Sequence, residues 1–244
     1  MKNTLLLICI FISFNLFSQK NFCRVEVLPL EEIFQENEIN KYLKYDFSNL
    51  WNTTDNNLIY GIIGDNYERI QIKFTSIKRN KNKTNEYWVS GKSRVKSNIC
   101  DFKGKITILA INEVKQQRFG VDDEYKDKGI KKQGLLTAIY EFDEDSSQKG
   151  SGKFSGRLQS IWYLDKDNLM QYNDIEIDSD GYFNNAFTGA WKSNNSRKEK
   201  VCNWGDYRVP NVNCDFDIGS AELSVSEKYQ KNGWWIKPKL NWWL

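Results

Sequence analysis

Hydrophobic and polar residues alternate along the middle of the chain. Apolar Ile70, Ile72 and Phe74 are interleaved with polar residues, and the same alternation returns at 87–95 and 100–108. Successive side chains of a strand point to opposite faces, so this pattern is typical of a sheet with one buried and one solvated face. Because short polar turns separate the three segments, the pattern predicts an antiparallel meander.

A five-residue motif recurs in these predicted strands. An aromatic residue is followed after two positions by glycine and after two more by a large apolar residue, at 102–106, 154–158 and 187–191, with a weaker copy at 89–93. Glycine weakens a strand interior, so its repeated use indicates strong curvature or the close approach of another backbone. The motif therefore predicts a sheet that curls around its core.

The remaining elements complete the predicted fold. Further strands are predicted at 135–142, 152–164, 170–177 and 182–191, and a weak opening strand at 23–30. Pro29 and the acidic pair after it predict one short N-terminal helix, with apolar residues following at near-helical spacing. The predicted fold class is all-β: antiparallel meanders curled into a barrel-like or lipocalin-like sheet, with that one helix.

The first 18 residues have the composition of a signal peptide. One lysine precedes the apolar run 5–14, and small Ser18 suits a cleavage point. The run is shorter than the roughly 20 residues that span a bilayer. We expect a single β-rich domain over 19–244, with 113–133 as either a long surface loop or a seam between two halves. The expected location is periplasmic or secreted, without a transmembrane segment in the mature chain.

Four cysteines remain after removal of the predicted signal peptide. An even number in an exported chain is compatible with two disulfides. We expect Cys202–Cys214, which would close a short loop, and Cys23–Cys100 as the second bridge. Four buried thiols are the alternative.

Composition limits the chemistry that is open to the chain. It contains no histidine, which excludes Ser-His-Asp and Cys-His catalysis and imidazole metal sites. The net charge of +3 does not call for nucleic acid, and the basic run 78–83 is typical of a solvated loop. We predict no cofactor, no metal site and no nucleic-acid partner.

The candidate ligand site is an aromatic and charged segment near the end of the chain. Trp204 and Tyr207, together with Trp51, offer flat apolar faces, and Asp206 and Arg208 could orient a ligand by hydrogen bonds. The same residues also suit an internal Asp–Arg pair with Trp204 in the core, and the residues alone favour that structural alternative. The tryptophans at 234–235 and 242–243 are expected to dock on the body of the protein.

Three runs resemble an uncharacterised family of exported proteins from Bacteroidetes-type bacteria. They are YGIIGDNYERI at 60–70, NICDFKG at 98–104 and CNWGDYR at 202–208. The resemblance implies export and carries no activity or catalytic residue over to this chain.

The first functional hypothesis is a non-enzymatic binding protein for a small apolar or glycan ligand. The second is a protein-interaction module of the inhibitor or immunity type, whose partner could be an envelope protein. The third is a carboxylate-dependent hydrolase, which needs two acids facing one cleft. Its candidate acids are Glu141, Asp143, Glu176 and Asp178.

Overall fold

The computed structural model describes residues 22–23, 27–235 and 241–244, so the predicted signal peptide lies outside the described residues. The strands are β1 (Phe22–Cys23), β2 (Ile59–Ile63), β3 (Glu68–Arg79), β4 (Glu86–Val95), β5 (Asn98–Glu113), β6 (Lys132–Glu144), β7 (Gly152–Leu164), β8 (Met170–Tyr172), β9 (Asn184–Ser193), β10 (Glu199–Asp206) and β11 (Val212–Asn213).

The helices are short. They are α1 (Ile39–Tyr42) and α2 (Glu227–Tyr229), the 3-10 turns Leu30–Glu32, Ser48–Trp51, Asn56–Leu58 and Val121–Asp123, and a π-turn at Gln230–Trp234. Among the described residues, none of these helices has the length and apolar character needed to cross a membrane.

Eight strands form a closed antiparallel barrel. Following the chain, β2, β3, β4, β5, β6, β7, β9 and β10 each pair with the next, and β10 pairs with β2 to close the ring. The small β8 is added beside the end of β7. Bulges at Thr75 and Leu109 bend β3 and β5. The predicted all-β, barrel-like fold is confirmed, and its connectivity is the up-and-down order of consecutive neighbours.

The repeated glycines lie where the barrel strands approach each other most closely. Gly156 of β7 and Gly189 of β9 are paired across the two strands. A Cβ on Gly156 would lie 2.1 Å from the Thr188 carbonyl oxygen and 2.8 Å from both the Gly189 Cα and the Tyr140 hydroxyl. The space that a side chain would need is therefore filled by backbone and by the Tyr140 ring, as the motif predicts.

Replacing Gly156 with alanine should destabilise the barrel. The added methyl group meets backbone atoms that cannot rotate away, so we expect the free energy of unfolding to fall by about 3 kcal/mol, the upper part of the usual overpacking range. Urea unfolding measures the change. Ser155→Ala, at the adjacent exposed position, is the control and should stay within about 0.5 kcal/mol. Equal stability of the two variants would contradict the close packing.

The barrel interior is packed with aromatic rings. Phe74, Phe102 and Phe142 contact one another at centroid distances between 5.1 and 6.1 Å, and Tyr140 lies 5.2 Å from Phe142 and 5.3 Å from Phe187. Barrels of eight strands are narrow enough for side chains to fill them. This interior is therefore a core of interlocking rings.

The N-terminal segment closes one end of the barrel. The Tyr42 ring packs 4.7 Å from that of Trp162, and the Phe47 backbone N–H donates to the Tyr87 hydroxyl at 3.0 Å. The single predicted helix is instead two separate pieces, Leu30–Glu32 and α1. They are separated because Ile33 is extended and forms a bridge with Val114.

Two connections outside the barrel also bear on the predictions. Residues 114–131 link β5 to β6, which pair directly with each other, so this segment is a surface loop between neighbouring strands. The segment after β10 builds a small second core on the outside of the barrel. Its buried members are Ile62, Tyr67, Val209, Val212, Phe216 and Tyr229.

The predicted disulfide pairing is wrong. Cys23 is bonded to Cys214, where β1 pairs with β11, and this bond joins residues 191 positions apart. Cys100 of β5 and Cys202 of β10 are free and buried. Both of these cysteines belong to barrel strands and are held inside the protein, so neither can reach the partner that sequence spacing suggested.

Candidate functional site

Trp204 lies in the barrel core. It belongs to the end of β10, the strand that closes the barrel, and every residue from Cys202 to Asp206 is buried. The Trp204 ring stacks on Phe187 at 4.6 Å and contacts Tyr140 at 5.1 Å. This is the packing that the structural alternative describes for Trp204.

Asp206 is buried at the capped end of the barrel among neutral donors. Its Oδ2 accepts hydrogen bonds from Thr54 Oγ1 at 2.7 Å, Asn185 Nδ2 at 2.7 Å and Tyr172 OH at 3.0 Å. Burial raises the pKa of the Asp206 carboxyl to about 7, although the three hydrogen bonds oppose that rise. The protonation state of this group is therefore poised to change near neutral pH.

Trp51 belongs to the same hydrogen-bonded network. Its indole Nε1 donates to Ser160 Oγ at 3.0 Å, and Ser160 Oγ donates to Asn185 Oδ1 at 2.7 Å. Asn185 Nδ2 in turn donates to Asp206 and to the Leu50 carbonyl oxygen. The network fixes the backbone from Leu50 to Thr54 against the barrel. Trp51 and Asp206 are predicted ligand contacts. In the structure, both belong to the network that holds the surface segment 50–54 in place.

Arg208 and Tyr207 make their own contacts with other residues. The Arg208 guanidinium pairs with Asp217 and donates to the carbonyl oxygens of Ser220 and Ala221 at 2.7 and 3.0 Å. Tyr207 is half-buried, with its ring 5.0 Å from that of Tyr182. The expected pair of Asp206 with Arg208 does not form; Arg208 pairs instead with Asp217 and holds the loop around 217–221.

A second buried carboxyl lies toward the opposite end of the barrel. Glu144 accepts hydrogen bonds from the Ser93 hydroxyl, from the Gly152 N–H at 2.7 Å and from Trp191 Nε1 at 2.9 Å. Burial raises the pKa of Glu144, and the bonds from Ser93, Trp191 and Gly152 oppose the rise. Both carboxylate oxygens have protein partners, so this cluster has the character of a structural network.

The acids proposed for hydrolysis are divided between two settings. Glu141 and Asp143 lie on the exposed outer face of β6, and Asp143 pairs with Lys153 at 2.5 Å. Glu176 lies in the connection before β9 and accepts a hydrogen bond from the Gly120 N–H at 2.8 Å. Across the residues with described positions, no three acids or cysteines are grouped in a way that could hold a metal ion.

A polar pocket opens directly beside the segment that Trp51 and Asp206 support. It has a volume of about 410 Å³ and lies between the loop after Trp51, the outer face of β3 and the tryptophans near the end of the chain. We call it the Trp–Asn pocket. Its lining consists of Asn52, Thr53, Thr54, Asp55, Asn56, Asn57, Gln71, Lys73, Asn241, Trp242 and Trp243.

The Trp–Asn pocket combines amides with an aromatic wall. Trp242 is buried and Trp243 is half-buried, which confirms that this pair of tryptophans docks on the body. The Lys73 ammonium lies 5.0 Å from the centre of the Trp243 ring. Asn56 Nδ2 donates to the Ile72 carbonyl oxygen at 2.8 Å, whereas Asn56 Oδ1 is buried with no hydrogen-bond partner in the described part of the chain.

The sequence contained a partial signal for this pocket. The tryptophans at 242–243 are expected to dock on the body, and the run at 52–57 is unusually polar. Six consecutive residues with amide, hydroxyl or carboxylate groups are more than a turn requires. Only the fold brings this run to the two tryptophans, which are about 190 residues further along the chain.

Comparison with known proteins adds no relative. No protein-family model matches the chain, and neither the curated proteins nor the solved structures contain a significant match.

Proposed function

We propose that this protein is an exported, non-enzymatic binding protein that holds a saccharide in the Trp–Asn pocket. The observation that carries the proposal is the composition of the pocket, in which amide side chains from three parts of the chain line the same cavity as Trp243. Its volume of about 410 Å³ falls in the range typical of small-ligand sites.

Saccharide chemistry matches these groups. A sugar hydroxyl both donates and accepts hydrogen bonds, and an amide side chain offers two donors and an acceptor in one plane. The flat ring of Trp243 suits the apolar face of a pyranose, and the amide side chains of Asn57 and Gln71 line the same pocket. A purely apolar ligand would leave these amides desolvated and unpaired, which costs free energy.

The packing of the barrel interior favours a ligand site on the outside of the barrel over one inside it. The positions around Trp204 are occupied by Phe187, Tyr140 and Phe154 at centroid distances of 4.6 to 6.0 Å. A ligand inside the barrel would have to displace these rings. The Trp–Asn pocket needs no such rearrangement, because it is already open.

Export is supported by three features of the chain. The first 18 residues have signal-peptide composition. A disulfide joins Cys23 to Cys214, and disulfides persist in oxidising compartments. The resemblance to a family of exported proteins points the same way. We therefore propose a periplasmic or secreted location.

Replacing Trp243 with alanine should weaken saccharide binding. Loss of the stacking ring is expected to reduce affinity at least tenfold, in keeping with an aromatic hot spot worth about 2 kcal/mol. The measurement is an oligosaccharide array probed with the mature protein, followed by calorimetric titration of the strongest binder with both proteins. Trp235→Ala is the matched control, because Trp235 is 71% exposed and does not line the pocket.

Two outcomes would contradict the proposal. One is an array on which the folded protein binds no saccharide at all. The other is a saccharide that binds the Trp243→Ala and Trp235→Ala variants with the same affinity, since the site would then lie elsewhere.

A further inference from the structure

The outer face of β3, β4 and β5 carries cations around an exposed tryptophan. Strand pairing places Trp88 of β4 between Lys78 of β3 and Lys105 of β5, and Trp88 is 53% exposed. Lys103 lies one outward position further along β5, opposite Ser90. We call this surface the basic face, and its members are Lys73, Lys78, Trp88, Lys92, Lys103 and Lys105.

Some lysines of the basic face have acidic partners and others do not. Lys92 pairs with Asp101 at 2.8 Å, and Lys105 lies 3.9 Å from Glu86 and 3.8 Å from Glu141. Lys78 and Lys103 are exposed and make no ion pair with any described residue, although strand pairing places Asp143 opposite Lys103. A surface with exposed lysines around an open aromatic ring is complementary to an anionic partner.

The basic face is continuous with the Trp–Asn pocket. Lys73 lines the pocket beneath Trp243 and is paired across the strands with Lys92 of β4. Trp88 lies four residues from Lys92 along β4, about 13 Å at the usual rise of a strand. The hydroxyl groups of Thr75 and Ser90 lie on the intervening outer surface.

We propose that the ligand is an anionic polysaccharide, one segment of which occupies the Trp–Asn pocket while the chain continues over the basic face to Trp88. This inference rests on the proposed function and names its ligand class. Along the path, lysine ammonium groups pair with sugar carboxylates or sulfates, and the Trp88 ring packs on the apolar face of a sugar. A polysaccharide is favoured as the occupant because the basic face opens from a pocket of amides and tryptophan.

The first test compares ligands that differ only in charge. Oligogalacturonate and its fully methyl-esterified form have the same sugar backbone, and a sulfated dextran oligomer with its neutral parent tests sulfate against carboxylate. We expect at least one anionic chain to bind tenfold or more tightly than its neutral counterpart at low salt, with the difference shrinking at high salt. Equal affinities within both pairs would overturn the inference. So would tighter binding of a DNA duplex of matched charge than of either anionic chain.

The second test locates the charge contacts. Lys78→Gln/Lys103→Gln should lower the affinity for the anionic chain roughly fivefold, the scale of two exposed ion pairs, and leave the neutral chain unaffected. Lys126→Gln/Lys166→Gln makes the same change of charge away from the basic face and is the control. Trp88→Ala should weaken binding of the long anionic chain more than that of a short one.

Failure of the inference and failure of the proposed function give different results. If Trp243→Ala weakens binding while the Lys78/Lys103 variant matches its control, the pocket stands and the anionic path is wrong. If the lysine variant weakens binding while Trp243→Ala does not, the basic face binds the anionic chain and the pocket is not its site, which overturns the continuous path as well. Folding of each variant is checked by its urea unfolding curve.

Discussion

Removing the Cys23–Cys214 disulfide should lower the free energy of unfolding by about 5 kcal/mol. In the chain-entropy account, a cross-link stabilises a protein by restricting its unfolded chain, and the restriction grows with the length of the closed loop. The bond joins residues 191 positions apart, so it restricts nearly all of the expected mature chain. The Cys23→Ser/Cys214→Ser variant should keep the barrel, because neither residue belongs to its eight strands.

Urea unfolding with and without reductant measures this effect. Wild-type protein in reductant should match the double variant, and the variant should not respond to reductant. Peptide mapping of the oxidised protein checks the pairing independently, with a Cys23 peptide linked to a Cys214 peptide as the expected product. A Cys202–Cys214 link, or a wild-type curve that reductant does not move, would contradict the structure at this point.

Asp206 should make the protein less stable as the pH rises from about 4 to about 7. Burial raises the pKa of this carboxyl from 3.8 to about 7 in the folded protein. Between these values the folded state holds a proton that the unfolded state has released, so folding is progressively disfavoured as the pH rises. The full shift corresponds to a loss of about 4 kcal/mol, which is complete above the folded pKa.

The Asp206→Asn variant isolates this contribution. An amide oxygen still accepts from Thr54 and Tyr172 but does not ionise, so the stability of the variant relative to wild type should rise by up to about 4 kcal/mol between pH 4 and pH 8. Glu144, whose pKa burial also raises, is present in both proteins and cancels in the difference. Parallel stability curves for the two proteins across this range would show that Asp206 does not titrate as described.

The sequence predicts the barrel strands well where one face of the strand is exposed to solvent. β3, β4 and β5 alternate buried and exposed residues over much of their length, and this alternation is the signal that periodicity reports. The glycine motif adds curvature, because Gly156 and Gly189 lie where two backbones nearly touch. In these strands the hydrophobic pattern of the sequence agrees with the burial that the barrel requires. The fold class could therefore be predicted from them.

The end of β10 escaped prediction because residues 202–206 are buried on both faces of the strand. Trp204 faces the aromatic core, while Asn203 on the other face donates to the Pro210 carbonyl oxygen and Gly205 lies under the ring of Phe183. A strand that is covered on both sides shows no alternation of apolar and polar residues from which it could be predicted. The disulfide and the Trp–Asn pocket escaped for a different reason, since each joins segments roughly 190 residues apart that only the closed barrel brings together.

The central functional claim is that the ligand binds outside the barrel, between the loop after Trp51 and the pair Trp242 and Trp243. Indole N–H resonances of the tryptophans, followed by NMR during titration with the strongest saccharide from the array, test this most directly. We expect the signals of Trp242 and Trp243 to shift while that of Trp204 stays in place. A dominant shift of the Trp204 signal, with Trp242 and Trp243 unchanged, would place the ligand among the core rings and contradict the claim.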